Sequence, residues 1–346
     1  MMRYFILCIC TLFLAVGMQP QTGAAAPAEQ PGKGVKLRPA RATWTTGFFK
    51  EALVRRGLEE LGYTVDKPKD LTNPIFYKSL TLGDVDYWVN GWFPLHNSQL
   101  PENFNQRGDI YGYVVKAGAI QGYLVSKRDV EKYNIISLDD FKRPEVKKAF
   151  DRNRDGKADL TACPPGWGCY ETINYHMKAY GLEEHINLVT ASYEAGMAAA
   201  LAAYKSGEPV LFYTWSPNWT LYKFKPGEDV VWINVPETKP SPEQEPMRDR
   251  MEASGIEGAV SDPVKFGFVA NDIRIVANKE FIAKNPAAKA FFEVFTLPLD
   301  DLNEQNTRMD DGEKSEADIA RHVDEWIAKN KTTWDGWLTA ARAAAQ

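Results

Sequence analysis

Between Phe48 and Leu61 the apolar residues Phe49, Leu53, Val54, Leu58 and Leu61 recur at helical intervals, which predicts an amphipathic helix stopped by Gly62. Gly57 sits inside that run and weakens it by up to ~1 kcal/mol relative to alanine. Val35 to Trp44 alternates as a short strand does, and Tyr63 to Val65 resumes the alternation. Further strand patterns fall at Val85–Val89, Gln121–Val125 and Val210–Tyr213, and helical ones at Glu171–Tyr180, Tyr193–Ser206 and Pro286–Phe295. This order predicts an α/β protein with mostly parallel sheets. Pro236–Asp262 is polar and proline-rich and reads as a long surface loop. From Leu299 onward the chain is helical and charged, with Trp326, Ile327, Trp334, Trp337 and Leu338 on faces expected to pack inward. No internal repeat of fixed period occurs.

The beginning of the chain follows a different pattern. Arg3 precedes an apolar run, Tyr4–Val16, that is shorter than the ~18–20 residues a membrane span needs. Ala26-Pro27-Ala28 has the small-x-small spacing of a cleavage site, so residues 1–28 are expected to be a signal peptide. Cys8 and Cys10 lie within its apolar part. The remainder is long enough for two domains. A net charge of −5 leaves no basic footprint, so nucleic acid is not an expected partner. Ten tryptophans are the one skew in composition, and most should be core residues.

Export changes how the remaining cysteines read. Cys163 and Cys169, in Cys-Pro-Pro-Gly-Trp-Gly-Cys, are expected to pair as a disulfide rather than hold a metal. The loop they close pushes out Trp167 beside the amides of Gly168 and Cys169. Trp92 and Trp215 likewise lie in turn-like, Gly/Pro-punctuated segments just after strands, where open α/β sheets bind ligands. Three converging indoles would make a cage for a quaternary ammonium, although buried structural tryptophans or sugar stacking use the same residues. His96 could donate a charge-assisted hydrogen bond to an anionic group of the ligand. Asp151, Asn153, Asp155 and Asp159, with Gly156, copy the start of a calcium loop. Its twelfth position is Ala162, so a solvated Asx-rich turn is the preferred reading. There is no GxSxG, HExxH or P-loop sequence, and His176, His185 and His322 read as structural. Nothing calls for an enzyme or a cofactor.

Together these residues resemble a family, the periplasmic glycine betaine/proline betaine-binding proteins of osmoprotectant ABC importers. The resemblance runs through nearly the whole mature chain. It is carried by Asn90–His96, Gln121–Leu124, Asp151–Cys169, Tyr213–Trp219, Lys225–Pro236 and Asn303–Asp311. It implies a clam-shell of two α/β lobes with mixed or parallel sheets and flanking helices. Lobe one would comprise 29–135 and a return over 265–346 with the C-terminal helices, and lobe two 136–264. It implies an aromatic box of Trp92, Trp167 and Trp215, carboxylate donors in His96 and the backbone of Gly168 and Cys169, and a Cys163–Cys169 bridge. The implied partners are a betaine and a membrane permease with its ATPase, served by a periplasmic monomer. A choline- or carnitine-type amine binder or sensor, or a calcium-dependent sugar-binding protein, are the alternatives. Phe93 and Pro164 depart from the family pattern, and Trp44 and the 236–262 loop are expected to bear on ligand preference.

Overall fold

The computed structural model describes residues 29–345, so the expected signal peptide lies outside the described residues. Two five-stranded sheets organise the chain. The first contains β1 (Pro39–Ala42), β2 (Lys69–Leu71), β3 (Tyr87–Phe93), β4 (Gly108–Ala119) and, much later, β10 (Asn271–Asn278), in the order β2-β1-β3-β10-β4. The second contains β5 (Gln121–Ser126), β6 (Ala158–Thr161), β7 (Ile186–Val189), β8 (Leu211–Trp215) and β9 (Val230–Ile233), in the order β9-β5-β8-β6-β7.

Each sheet is mixed, which departs from the mostly parallel arrangement that the pattern predicts. In the first, β1 runs parallel to β2 and β3, whereas β10 is antiparallel to β3 and β4. In the second, β6 is parallel to β7 and β8, whereas β5 is antiparallel to β8 and β9. The antiparallel members are the strands by which the chain enters the second sheet, β5, and returns to the first, β10. Only Ile120 separates β4 from β5, so the chain changes sheets there, ahead of residue 135. The return runs between Val264–Lys265 and β10.

Helices cover both sheets. In α1 (Phe48–Glu60) the residues Phe49, Leu53, Val54 and Leu58 are buried, as their spacing predicts. Gly57 belongs there because a Cβ would overlap the Phe291 ring of α5 (Pro286–Val294). The helix α2 (Asn73–Leu82) starts with Pro74 in its first turn and ends on Gly83 in the left-handed region, a common pair of helix boundary signals. The second sheet carries α3 (Gly168–Ala179) and α4 (Tyr193–Lys205). After α5 come α6 (Leu299–Asp310), α7 (Glu316–Lys329) and α8 (Lys331–Ala343), which pack back on the first lobe. Trp334 meets Phe291 at 6.1 Å between ring centroids, and Trp326 stacks on Trp337 at 5.7 Å. The 236–262 segment holds a 3-10 turn, Glu245–Met251, and a two-residue strand at Glu252–Ala253, and is otherwise irregular.

Candidate functional site

Two strand ends with the turn after one of them, and one stapled loop, carry the predicted residues, so Trp92 and Trp215 belong to their strands rather than follow them. All of β3 is buried, and near its end it places Trp92 before a short turn, Leu95–Gln99, that contains His96. β8 ends on Trp215. In the stapled loop Cys163 and Cys169 are joined by a disulfide and Trp167 is the residue just before α3.

These segments close on one small cavity of about 30 Å³. All six predicted residues line it: Trp92, His96, Trp167, Gly168, Cys169 and Trp215. Trp44, Leu95, Gln121 and Tyr213 complete the wall. Trp44 stands edge-on to Trp167 at 5.1 Å, and Trp167 edge-on to Trp215 at 5.7 Å. Tyr193 backs Trp215 at 4.8 Å from outside the wall. The indole N–H of Trp92 donates to Asn90 Oδ1 at 3.0 Å. That of Trp167 donates to Thr43 Oγ1 at 2.9 Å, and this bond joins the second lobe to the first.

Among the described residues no aspartate, glutamate, lysine or arginine lines the cavity. His96 is also uncharged, because burial pushes its pKa down to about 3. Its Nδ1 accepts from the Trp92 amide at 3.2 Å and lies 2.8 Å from the Tyr77 hydroxyl. Its Nε2 lies 2.9 Å from the Asn73 side-chain nitrogen, which also donates to Gln99 Oε1 at 2.8 Å. His96 thus enters the wall as a neutral ring with both nitrogens within hydrogen-bond distance of protein groups. Positive potential comes instead from the start of α3. Gly168 and Cys169 are the first residues of that helix, where backbone N–H groups have no intrahelical acceptor and the helix dipole is positive.

The site can therefore hold a small zwitterion. Indole faces suit its cation and methyl groups, and helix N–H groups suit its anion.

The calcium-like loop resolves differently. Both carboxylate oxygens of Asp151 accept backbone N–H groups, from Asp155 at 3.0 Å and Gly156 at 2.9 Å. Asp159 accepts from Arg152 N at 3.0 Å and from Asn187 Nδ2 at 2.7 Å. Asn153 Oδ1 accepts from the Asp155 amide at 2.9 Å. This is an Asx turn leading into β6. Among the described residues no group of three or more His, Cys, Asp or Glu side chains is placed to hold a metal ion. His176 is buried between the Tyr123 hydroxyl and the Gly267 carbonyl, and His322 pairs with Glu313.

Residues 35–329 match the substrate-binding domain of ABC-type glycine betaine transport systems. The chain belongs to that family. Within the family's curated members it is 42% identical to the glycine betaine-binding periplasmic protein OusX of Dickeya dadantii, over 96% of this chain and 98% of that one. It is 40% identical to the glycine betaine/proline betaine-binding periplasmic protein of Salmonella typhimurium, over 93% and 95% of the two chains. The fold is that of lactococcal OpuAC in its closed, glycine betaine-bound form, with a TM-score of 0.65 at 20% identity over 88% of this chain and 99% of that one. The family is one of substrate-binding transport proteins.

Four wall residues were not among the predicted contacts. Gln121 and Tyr213 read as ordinary strand residues, and Leu95 as a turn residue. The available signal was strand direction, because residues two apart on one strand share a face. Tyr213 lies two residues before Trp215 and faces the same way.

Proposed function

We propose that this chain is a periplasmic receptor that captures glycine betaine or proline betaine between its lobes and delivers it to an ABC permease and its ATPase. The observation that carries this reading is a cavity walled by four indoles, free of charged side chains, and closed at one side by a helix N-terminus. A trimethylammonium group offers no conventional N–H donor, so a carboxylate partner would gain only Coulomb attraction against a large desolvation cost. Each indole face instead contributes roughly 0.5–2 kcal/mol of cation–π attraction and matches the apolar methyls. The carboxylate then lies against the amides of Gly168 and Cys169, with His96 as a neutral neighbour. An amino acid bearing an ammonium group is rejected because its N–H donors would be buried without acceptors.

Trp44 and Trp92 come from the first lobe, and Trp167 and Trp215 from the second, so closing the lobes assembles the cage. We place the lobe division by sheet membership, with hinges at Ile120 and in the segment between Lys265 and Asn271. The receptor acts as a monomer, and its closed form is the one the permease reads.

Calorimetric titration of the mature, oxidised protein with glycine betaine, proline betaine, choline and proline tests this reading. The expected result is tight binding of both betaines and none of proline. Trp167→Ala and Trp215→Ala should each weaken betaine binding by ~1–3 kcal/mol. Choline binding as tightly as the betaines would remove the anion anchor, and no heat with any of the four would sink the proposal.

A further inference from the structure

Two antiparallel neighbours in the second sheet, Gln121 on β5 and Trp215 on β8, are register partners and so present their side chains on one face. Both line the cavity. Gln121 is only 2% exposed and Trp215 5%. The Tyr213 hydroxyl donates to Gln121 Oε1 at 2.6 Å, which pins the amide and turns its NH2 away from Tyr213. Gln121 Nε2 is buried without a hydrogen-bond partner among the described residues, and so is Trp215 Nε1.

Buried donors are almost always paired, and an orphaned amide costs the full desolvation of its N–H groups. The other indoles facing the cavity from β3 and from the stapled loop spend their N–H groups on protein oxygens. The second sheet therefore contributes two buried, unspent side-chain donors to the wall. A quaternary ammonium has no use for them. An oxygen of the same ligand does.

We propose that Gln121 is a ligand-holding and specificity-determining residue. Its Nε2 donates to an oxygen of the bound betaine, with the Trp215 indole N–H as a second donor on the same side, and the Tyr213 hydroxyl is the positioning group that aims the amide. The inference rests on the betaine reading of the cavity. It adds a side-chain contact to the backbone anchor at Gly168 and Cys169, and it makes the second sheet a reader of the ligand's oxygen as well as of its cation. Exchanging the amide for a carboxylate would keep the Tyr213 hydrogen bond while placing an acceptor, and negative charge, where the donor stood.

The test compares glycine betaine with tetramethylammonium, which has the cation and no oxygen, on the full mature protein. Gln121→Leu should weaken glycine betaine binding 10-fold or more and leave tetramethylammonium within about 2-fold. Gln121→Glu should weaken glycine betaine further and strengthen tetramethylammonium. Tyr213→Phe keeps the ring and frees the amide, so it should weaken glycine betaine about 3- to 10-fold and spare tetramethylammonium. Parallel losses for both ligands would overturn the proposal by reducing Gln121 to a packing residue, and so would unchanged glycine betaine affinity in Gln121→Glu. Wild-type protein that binds neither ligand would instead bring down the betaine reading itself. A variant that melts early is replaced by Tyr213→Phe, whose effect on the ratio of the two affinities decides the matter alone.

Discussion

Glu51 lies in the first turn of α1 with its carboxylate 2% exposed, no hydrogen-bond partner for either oxygen among the described residues, and Arg55 at 3.5 Å. Burial raises its pKa to about 7, and the neighbouring Arg55 offsets only part of that. A carboxyl group raised in the folded state binds its proton there while the unfolded chain has already lost it. The penalty is therefore absent below the usual pKa of about 4.5, grows as pH rises, and is complete above about 7. Glu51→Gln should accordingly gain stability over the wild type across that window, on the order of 3 kcal/mol by its upper end. Melting temperatures of the two proteins at a series of pH values check this, and a constant difference would refute it. The cavity-lining residues show which single positions a sequence can reveal. Trp92, Trp167 and Trp215 were legible because each is a large aromatic in a segment punctuated by glycine or proline. Gln121 was not, because a polar residue opening a buried strand gives no sign of which atom lacks a partner.

The staple acts on an element, the N-terminus of α3. Replacing both Cys163 and Cys169 with alanine should cost about 2 kcal/mol of stability, given the short loop. The larger effect expected is on betaine affinity, because the Gly168 and Cys169 amides lose their fixed direction. Thermal melts beside titrations separate the two, and undiminished affinity in the double variant would show that the loop keeps its shape without the bond. The helices at Phe48–Glu60, Gly168–Ala179, Tyr193–Lys205 and Pro286–Val294 lie within a few residues of where the 3.6-residue period puts them. Three other elements gave no such signal. The α2 sequence keeps few charges to mark an outer face, β4 is interrupted by glycines, and β10 is a single strand returning from a remote part of the chain.

At the scale of the molecule, Lys223, which ends the short helix Thr220–Lys223 after β8, reaches across to Asp310 and Asp311 at the end of α6, at 3.5 and 2.5 Å. The pair is partly exposed, so its worth is ~0.2–1 kcal/mol, and it ties the segment after β8 to the end of α6. Lys223→Ala should raise the betaine Kd about 2- to 5-fold and enlarge the ligand-free protein in small-angle scattering, while the saturated protein keeps its dimensions. Identical scattering of the free forms would argue against a clasp. The two-lobe plan itself is carried by β10, which joins the first sheet some 150 residues after β4, and no local pattern encodes such a return. Resemblance to a family supplied it. The uncharged wall of the cavity has a consequence for the medium in which such a receptor works. Dissolved salt screens exposed ions within about 10 Å at 0.1 M, but it has little purchase on a buried indole face or a backbone N–H. Recognition built this way should hold its grip in brine, so that only the modest contribution of the Lys223 clasp fades as salinity climbs.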